Sequence, residues 1–193
     1  MNLPNILTLA RVAASFAVCV ALCINVEWFA LSAFVLFLAG AVSDWFDGYF
    51  ARKYSLITNF GKFMDALCDK IMILGIAVVM IALNIFGEYN LIAAFCVMLT
   101  VTREFFVSGI RMMAAKEGVV IAAEKMGKYK TAFQMVSLGA FILANSVVKD
   151  FDAADTFFWT LCRDVGVVML LLSTFLAGLS GVNYAVKYRK LYL

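Results

Sequence analysis

Histidine is absent from this chain, and proline occurs once, at Pro4. Without imidazole there is no histidine base, nucleophile or metal ligand. Any metal held here is held by oxygen, which suits hard cations such as Mg2+ or Mn2+ better than zinc. The lack of proline leaves the remaining helices free of proline kinks, as close-packed spans prefer. Charge is also scarce: Asp, Glu, Lys and Arg make up 15% of the 193 residues, and no polar stretch is long enough to build a separate soluble domain. The five cysteines, Cys19, Cys23, Cys68, Cys96 and Cys162, show no zinc-type spacing and read as small hydrophobes. The opening Met1-Asn2-Leu3-Pro4-Asn5 lacks the basic start, short apolar core and cleavage site of a signal peptide.

Apolar residues fill the space that charge leaves. The chain is 65% hydrophobic, against about 45–50% in an ordinary soluble domain, and its mean hydropathy is +0.95. These values predict an all-α integral membrane protein, folded as one membrane domain over residues 1–193. A span needs roughly 20 apolar residues. Six stretches qualify, at residues 6–25, 28–52, 61–84, 90–115, 126–147 and 162–186, preceded by a short N-terminal interfacial segment. Residues 155–164 read either as an interfacial helix or as an extension of the sixth span. The links are short, which favours antiparallel neighbours.

If the spans alternate, most basic residues fall on one side: Arg52, Lys53, Lys62, Arg111, Lys116, Lys125, Lys128, Lys130, Lys187, Arg189 and Lys190. Lys149 and Arg163 fall on the other, beside Asp150, Asp152, Asp155 and Asp164. The positive-inside rule then places the basic side and both termini in the cytoplasm.

Four carboxylates break the apolar pattern at regular spacing. Asp44, Asp47, Gly48 and Ala51 share one helical face, and Gly61, Asp65 and Asp69 share another. If the second and third spans pack side by side, these faces meet. Gly48, Ala51 and Gly61 let backbones approach and leave room for a ligand. Four buried carboxylates repel one another unless protons or cations neutralise them. Such a pocket can hold two divalent cations about 3.5–4 Å apart. Arg52, at its edge, can meet a carboxylate or a phosphate in bidentate fashion. The rival reading is a cation or proton pathway. That reading expects polar residues through the full membrane depth and repeated halves, whereas these charges cluster at one end.

The run Asp44-x-x-Asp47-Gly48-x-x-Ala51-Arg52, eight residues, then Gly61-x-x-x-Asp65-x-x-x-Asp69, resembles the signature of the CDP-alcohol phosphatidyltransferase family at every position. The resemblance implies a six-span membrane fold, commonly a homodimer. It also implies transfer of a phosphatidyl group from CDP-diacylglycerol to an alcohol, with release of CMP. Asp44, Asp47 and Asp65 would then be chiefly metal ligands, and Asp69 both a ligand and the general base. Asp44, Gly48, Ala51, Arg52 and Gly61 would hold the CDP-lipid.

Outside the signature, three runs resemble the branch of the family that uses glycerol 3-phosphate: Asn2-Leu3-Pro4-Asn5-Ile6-Leu7-Thr8 with Arg11; Arg103-Glu104 with Ser108-Gly109-Ile110-Arg111; and Gly127-Lys128-Tyr129-Lys130-Thr131 with Gln134. Ala66 and Cys68 depart from that branch, which usually has proline after the third aspartate and a small residue before the fourth. Arg103, Arg111, Lys125, Lys128 and Thr131 can form a cationic pocket suited to a small phosphate dianion. Arg103 can alternatively pair with Glu104 or Asp69, Glu104 can orient an arginine, and Gln134 can bond between helices. Other acceptors within the family are phosphatidylglycerol (giving cardiolipin), inositol phosphate and serine.

Overall fold

Helix is the only regular secondary structure among the described residues. The computed structural model describes residues 3–53, 64, 67–118, 125–154 and 156–189; the side chains of residues 3–8, 44–53 and 125 lie outside that description. Helix α1 (Leu3–Cys23) is followed by α2 (Phe29–Lys53) after a turn in which Trp28 has a φ of 68°. Residues 67–70 are helical and lead into a π-helical turn, Ile71–Gly75, and then α3 (Ile76–Ala82). A turn and a single 3₁₀ turn (Gly87–Tyr89) connect to α4 (Asn90–Lys116). Helices α5 (Lys125–Phe151) and α6 (Phe157–Lys187) complete the bundle.

The all-α expectation holds, but the expected six transmembrane helices are corrected. Among the described residues, three helices are long and apolar enough to cross a bilayer: Gly87–Lys116, Met126–Phe151 and Phe157–Lys187. The first two expected spans appear as shorter apolar helices, Leu9–Cys23 and Phe29–Ser43. These are the parts of α1 and α2 whose side chains are described; the helices themselves extend over Leu3–Cys23 and Phe29–Lys53. Helix α2 continues to Lys53, but charged residues interrupt its apolar pattern from Asp44 onward. Of the third expected span, residues 67–82 form one helical run that includes the π turn, and residues 61–63, 65 and 66 lie outside the described residues. The expected N-terminal interfacial segment is also corrected: α1 runs unbroken from Leu3, with Pro4 in its first turn, where a missing N–H has no intrahelical partner to lose. Residues 157–164 belong to α6, which resolves the ambiguity there in favour of an extension.

Helix α6 packs on α5 and α4, and α2 packs on α1 and α5. The core runs from Val18 and Leu22 on α1 through Phe37 on α2 and Met72 to Met80, to Phe141 and Ile142 on α5 and Leu170 on α6. Small residues set its closest approach. At Gly166 a Cβ would lie 2.8 Å from the Phe141 ring, and Ser137 Oγ donates to the Gly166 carbonyl at 2.8 Å. Cys68, Cys96 and Cys162 are buried.

The two ends of the bundle differ in charge. Asp150, near the end of α5, accepts from the Trp28 and Leu31 amides at the start of α2, at 3.0 and 2.6 Å. Arg163 near the start of α6 pairs with Glu88 just before α4 at 3.5 Å. The start of α2, the start of α4, the end of α5 and the start of α6 therefore share one end. The signature-bearing half of α2 runs toward the other, where α4 ends at Lys116 and α6 at Lys187.

Candidate active site

Helix α2 carries Asp44, Asp47, Gly48, Ala51 and Arg52 on its C-terminal half; their side chains, together with all of Gly61 and Asp65, lie outside the described residues. Among the described residues no three acidic, Cys or His side chains gather into a metal-holding group. Asp69 is described. It sits in the helical turn just ahead of Ile71–Gly75, and π turns are frequent at functional sites. Arg11 on α1, its side chain fully buried, donates from Nη1 to Asp69 Oδ1 at 3.2 Å. The Asp69 side chain is 39% exposed, so the anchored carboxylate still faces accessible space. A buried guanidinium requires such a partner. Asp69 offers oxygen, the donor type that a hard divalent cation takes.

Beside Asp69, a polar network joins four helical segments. Glu104 on α4 is its hub. Lys130 on α5 and Arg103 on α4 both donate to Glu104 Oε1, Arg103 at 2.8 Å, and Lys70 Nζ lies 4.0 Å from Oε2. Lys70 also donates to Ser108 Oγ at 2.8 Å. Arg103 Nε donates to Ser180 Oγ on α6 at 3.0 Å. One turn deeper, Gln134 Nε2 donates to Thr100 Oγ1 at 3.2 Å. Among the described residues, three cations thus face one carboxylate in this network.

Two turns along α4 from Arg103, Arg111 Nη2 donates to the Tyr184 hydroxyl at 2.9 Å. The structure brings the guanidinium carbons of Arg103 and Arg111 to 6.0 and 5.5 Å from the Tyr184 ring centroid on α6. Arg103 is occupied by Glu104 and Ser180, the pairing the sequence allowed, and is mostly buried. Arg111 and Lys128 are exposed. Thr131 Oγ1 donates to the Gly127 carbonyl of its own helix at 3.1 Å. Lys125 begins α5, and its side chain lies outside the described residues.

Lys70, Lys130 and Tyr184 were not among the sequence-derived site residues. Lys130 carries a legible signal: a lysine seven positions ahead of buried Ser137 on one helical face needs a carboxylate inside a membrane bundle. Tyr184 follows the buried stripe Ser173, Ala177, Ser180, but a lone tyrosine on an apolar helix reads as packing.

The family model for CDP-alcohol phosphatidyltransferases matches residues 1–179. The chain belongs to this family. Among its relatives, the CDP-diacylglycerol–glycerol-3-phosphate 3-phosphatidyltransferase of Bacillus subtilis (strain 168) is 36% identical over 172 residues, covering 82% of this chain and 86% of that protein. The protein of the same name from Rickettsia felis is 34% identical over 185 residues, covering 95% and 93%. A cardiolipin synthase (CMP-forming) from Oryza sativa subsp. japonica is 32% identical over 200 residues, covering all of this chain and 58% of that protein. Membership of the family makes the chain a phosphatidyltransferase of the membrane, which agrees with its three long apolar helices.

Proposed function

We propose that this enzyme transfers the phosphatidyl group of CDP-diacylglycerol to glycerol 3-phosphate, giving phosphatidylglycerophosphate and CMP. The observation that carries the reading is an unbroken family signature in a chain whose glycerol-3-phosphate-using relatives align with nearly its whole length. The network around Glu104 supports it, since among the described residues there cations outnumber carboxylates, which suits a soluble phosphate dianion.

Asp44, Asp47, Asp65 and Asp69 are the residues that would hold two divalent cations, Mg2+ or Mn2+. When bound, such ions neutralise the pyrophosphate and the charge on departing CMP. Arg52 steadies the pyrophosphate, and Gly48, Ala51 and Gly61 leave room for the cytidine nucleotide beside the backbone. Arg111, Lys128, Lys125 and Thr131 receive the acceptor's phosphate, with Arg103 anchoring the wall behind them. Asp69, oriented by Arg11, takes the proton from the 1-hydroxyl of glycerol 3-phosphate. That oxygen forms a bond to the phosphorus bearing diacylglycerol as the bond to the CMP oxygen breaks, in line. The basic end of the bundle, with this site, faces the cytoplasm, and the protein works as a homodimer in a bacterial inner membrane.

The rice relative supports a second reading, in which phosphatidylglycerol is the acceptor and cardiolipin the product. Purified protein given CDP-diacylglycerol and Mn2+ or Mg2+ should release CMP with glycerol 3-phosphate, and not with phosphatidylglycerol, serine or inositol phosphate offered in parallel. Release with phosphatidylglycerol alone would establish the second reading.

A further inference from the structure

We infer that Tyr184 is the positioning residue that holds Arg111 ready for the acceptor's phosphate; the inference rests on the reading of Arg111 as an acceptor-binding residue. Tyr184 is fully buried near the end of α6 and packs against Val107 and Ile110 of α4. Tyr188 lies beside it, ring centroids 5.6 Å apart. Its hydroxyl accepts from Arg111 Nη2 at 2.9 Å. Its ring centroid is 5.5 Å from the Arg111 guanidinium carbon and 6.0 Å from that of Arg103, within the range in which a ring attracts a cation.

The two arginines differ in what else restrains them. Arg103 has a carboxylate and a hydroxyl of its own, and its Cγ lies 3.3 Å from where a Cβ at Gly181 would be. Arg111 is exposed, a long side chain with many rotamers. The buried phenol holds one guanidinium nitrogen of a residue that remains exposed. An anion then binds a cation that is already in place, without first ordering it. Acting through Arg111 on the acceptor's phosphate, the phenol bears on acceptor binding, so its loss should weaken that binding and spare turnover.

Tyr184→Phe removes the hydroxyl and keeps the ring. It should raise KM for glycerol 3-phosphate about tenfold, leave kcat within about twofold, and leave KM for CDP-diacylglycerol unchanged. The decisive readout is a double-mutant cycle. In an Arg111→Ala background, which itself raises the acceptor KM, Tyr184→Phe should add nothing. If Tyr184→Phe raises KM by the same factor in both backgrounds, or leaves KM unchanged in the wild type, the inference is overturned. Should Tyr184→Phe fail to fold, Arg111→Lys keeps the question open to test. It leaves Tyr184 intact but cannot hold both the phenol and a phosphate through one planar fork, so an unchanged acceptor KM there also overturns the inference. Wild-type protein that ignores glycerol 3-phosphate while using another acceptor removes the underlying reading instead, which separates the two failures.

Discussion

Glu104 is the residue on which the site's electrostatics turn. It faces Lys130, Arg103 and Lys70, and the Lys130 side chain is only 5% exposed. Removing the carboxylate strands a buried ammonium, and breaking a buried pair costs about 3–5 kcal/mol. Glu104→Gln should therefore lower the unfolding midpoint of the purified protein by several degrees, read by thermal unfolding in detergent. Asp69 plays a different part. It is partly exposed and paired with Arg11, which suits the proposed role of a carboxylate that meets substrate. Asp69→Asn keeps the shape and the hydrogen bond to Arg11 but removes the proton acceptor. Turnover should fall by at least 10²-fold, while binding of a cytidine nucleotide, measured by calorimetry, persists. Activity like that of the wild type in this variant would end the base assignment.

At the scale of elements, the bundle is held by close contacts that small residues permit. Helices α5 and α6 meet at Gly166, where an added methyl would lie 2.8 Å from the Phe141 ring. That ring is itself fixed edge-on against Phe86, centroids 4.6 Å apart. Overpacking of this kind costs about 1–3 kcal/mol, so Gly166→Ala should be measurably less stable to heat. Gly178→Ala on the same helix, where nothing lies within 4 Å of the added Cβ, serves as the control and should match the wild type within about 0.5 kcal/mol. Asp150 provides a second device, capping α2 from 119 residues away. Asp150→Ala should cost about 1 kcal/mol, seen in the same melt.

Across the whole molecule, the family and the aspartate signature were legible because their chemistry is written in spacing: carboxylates three and four apart inside apolar sequence leave few alternatives. The helical bundle was legible from hydropathy. The number of spans was not. Hydropathy does not report the π turn at Ile71–Gly75, and it gives little weight to the charged residues that enter α2 from Asp44 onward; among the described residues three helices qualify as spans. Tyr184 was hidden for a related reason, since its partners lie on a helix more than 70 residues away. The charge of the two ends carries the final prediction. Lys116, Lys128, Lys187 and Arg189 sit at the end toward which the signature runs, while Glu88, Asp150, Asp152 and Asp164 crowd the other with only Lys149 and Arg163 against them. In the proposed orientation, which follows the positive-inside rule, the positive end stays in the cytoplasm. In a cysteine-free background, Asp152→Cys should react with a membrane-impermeant maleimide on intact spheroplasts, and Gly118→Cys only after permeabilisation. The reverse pattern would place the aspartates on the side away from cytoplasmic glycerol 3-phosphate, and the acceptor assignment could not survive it.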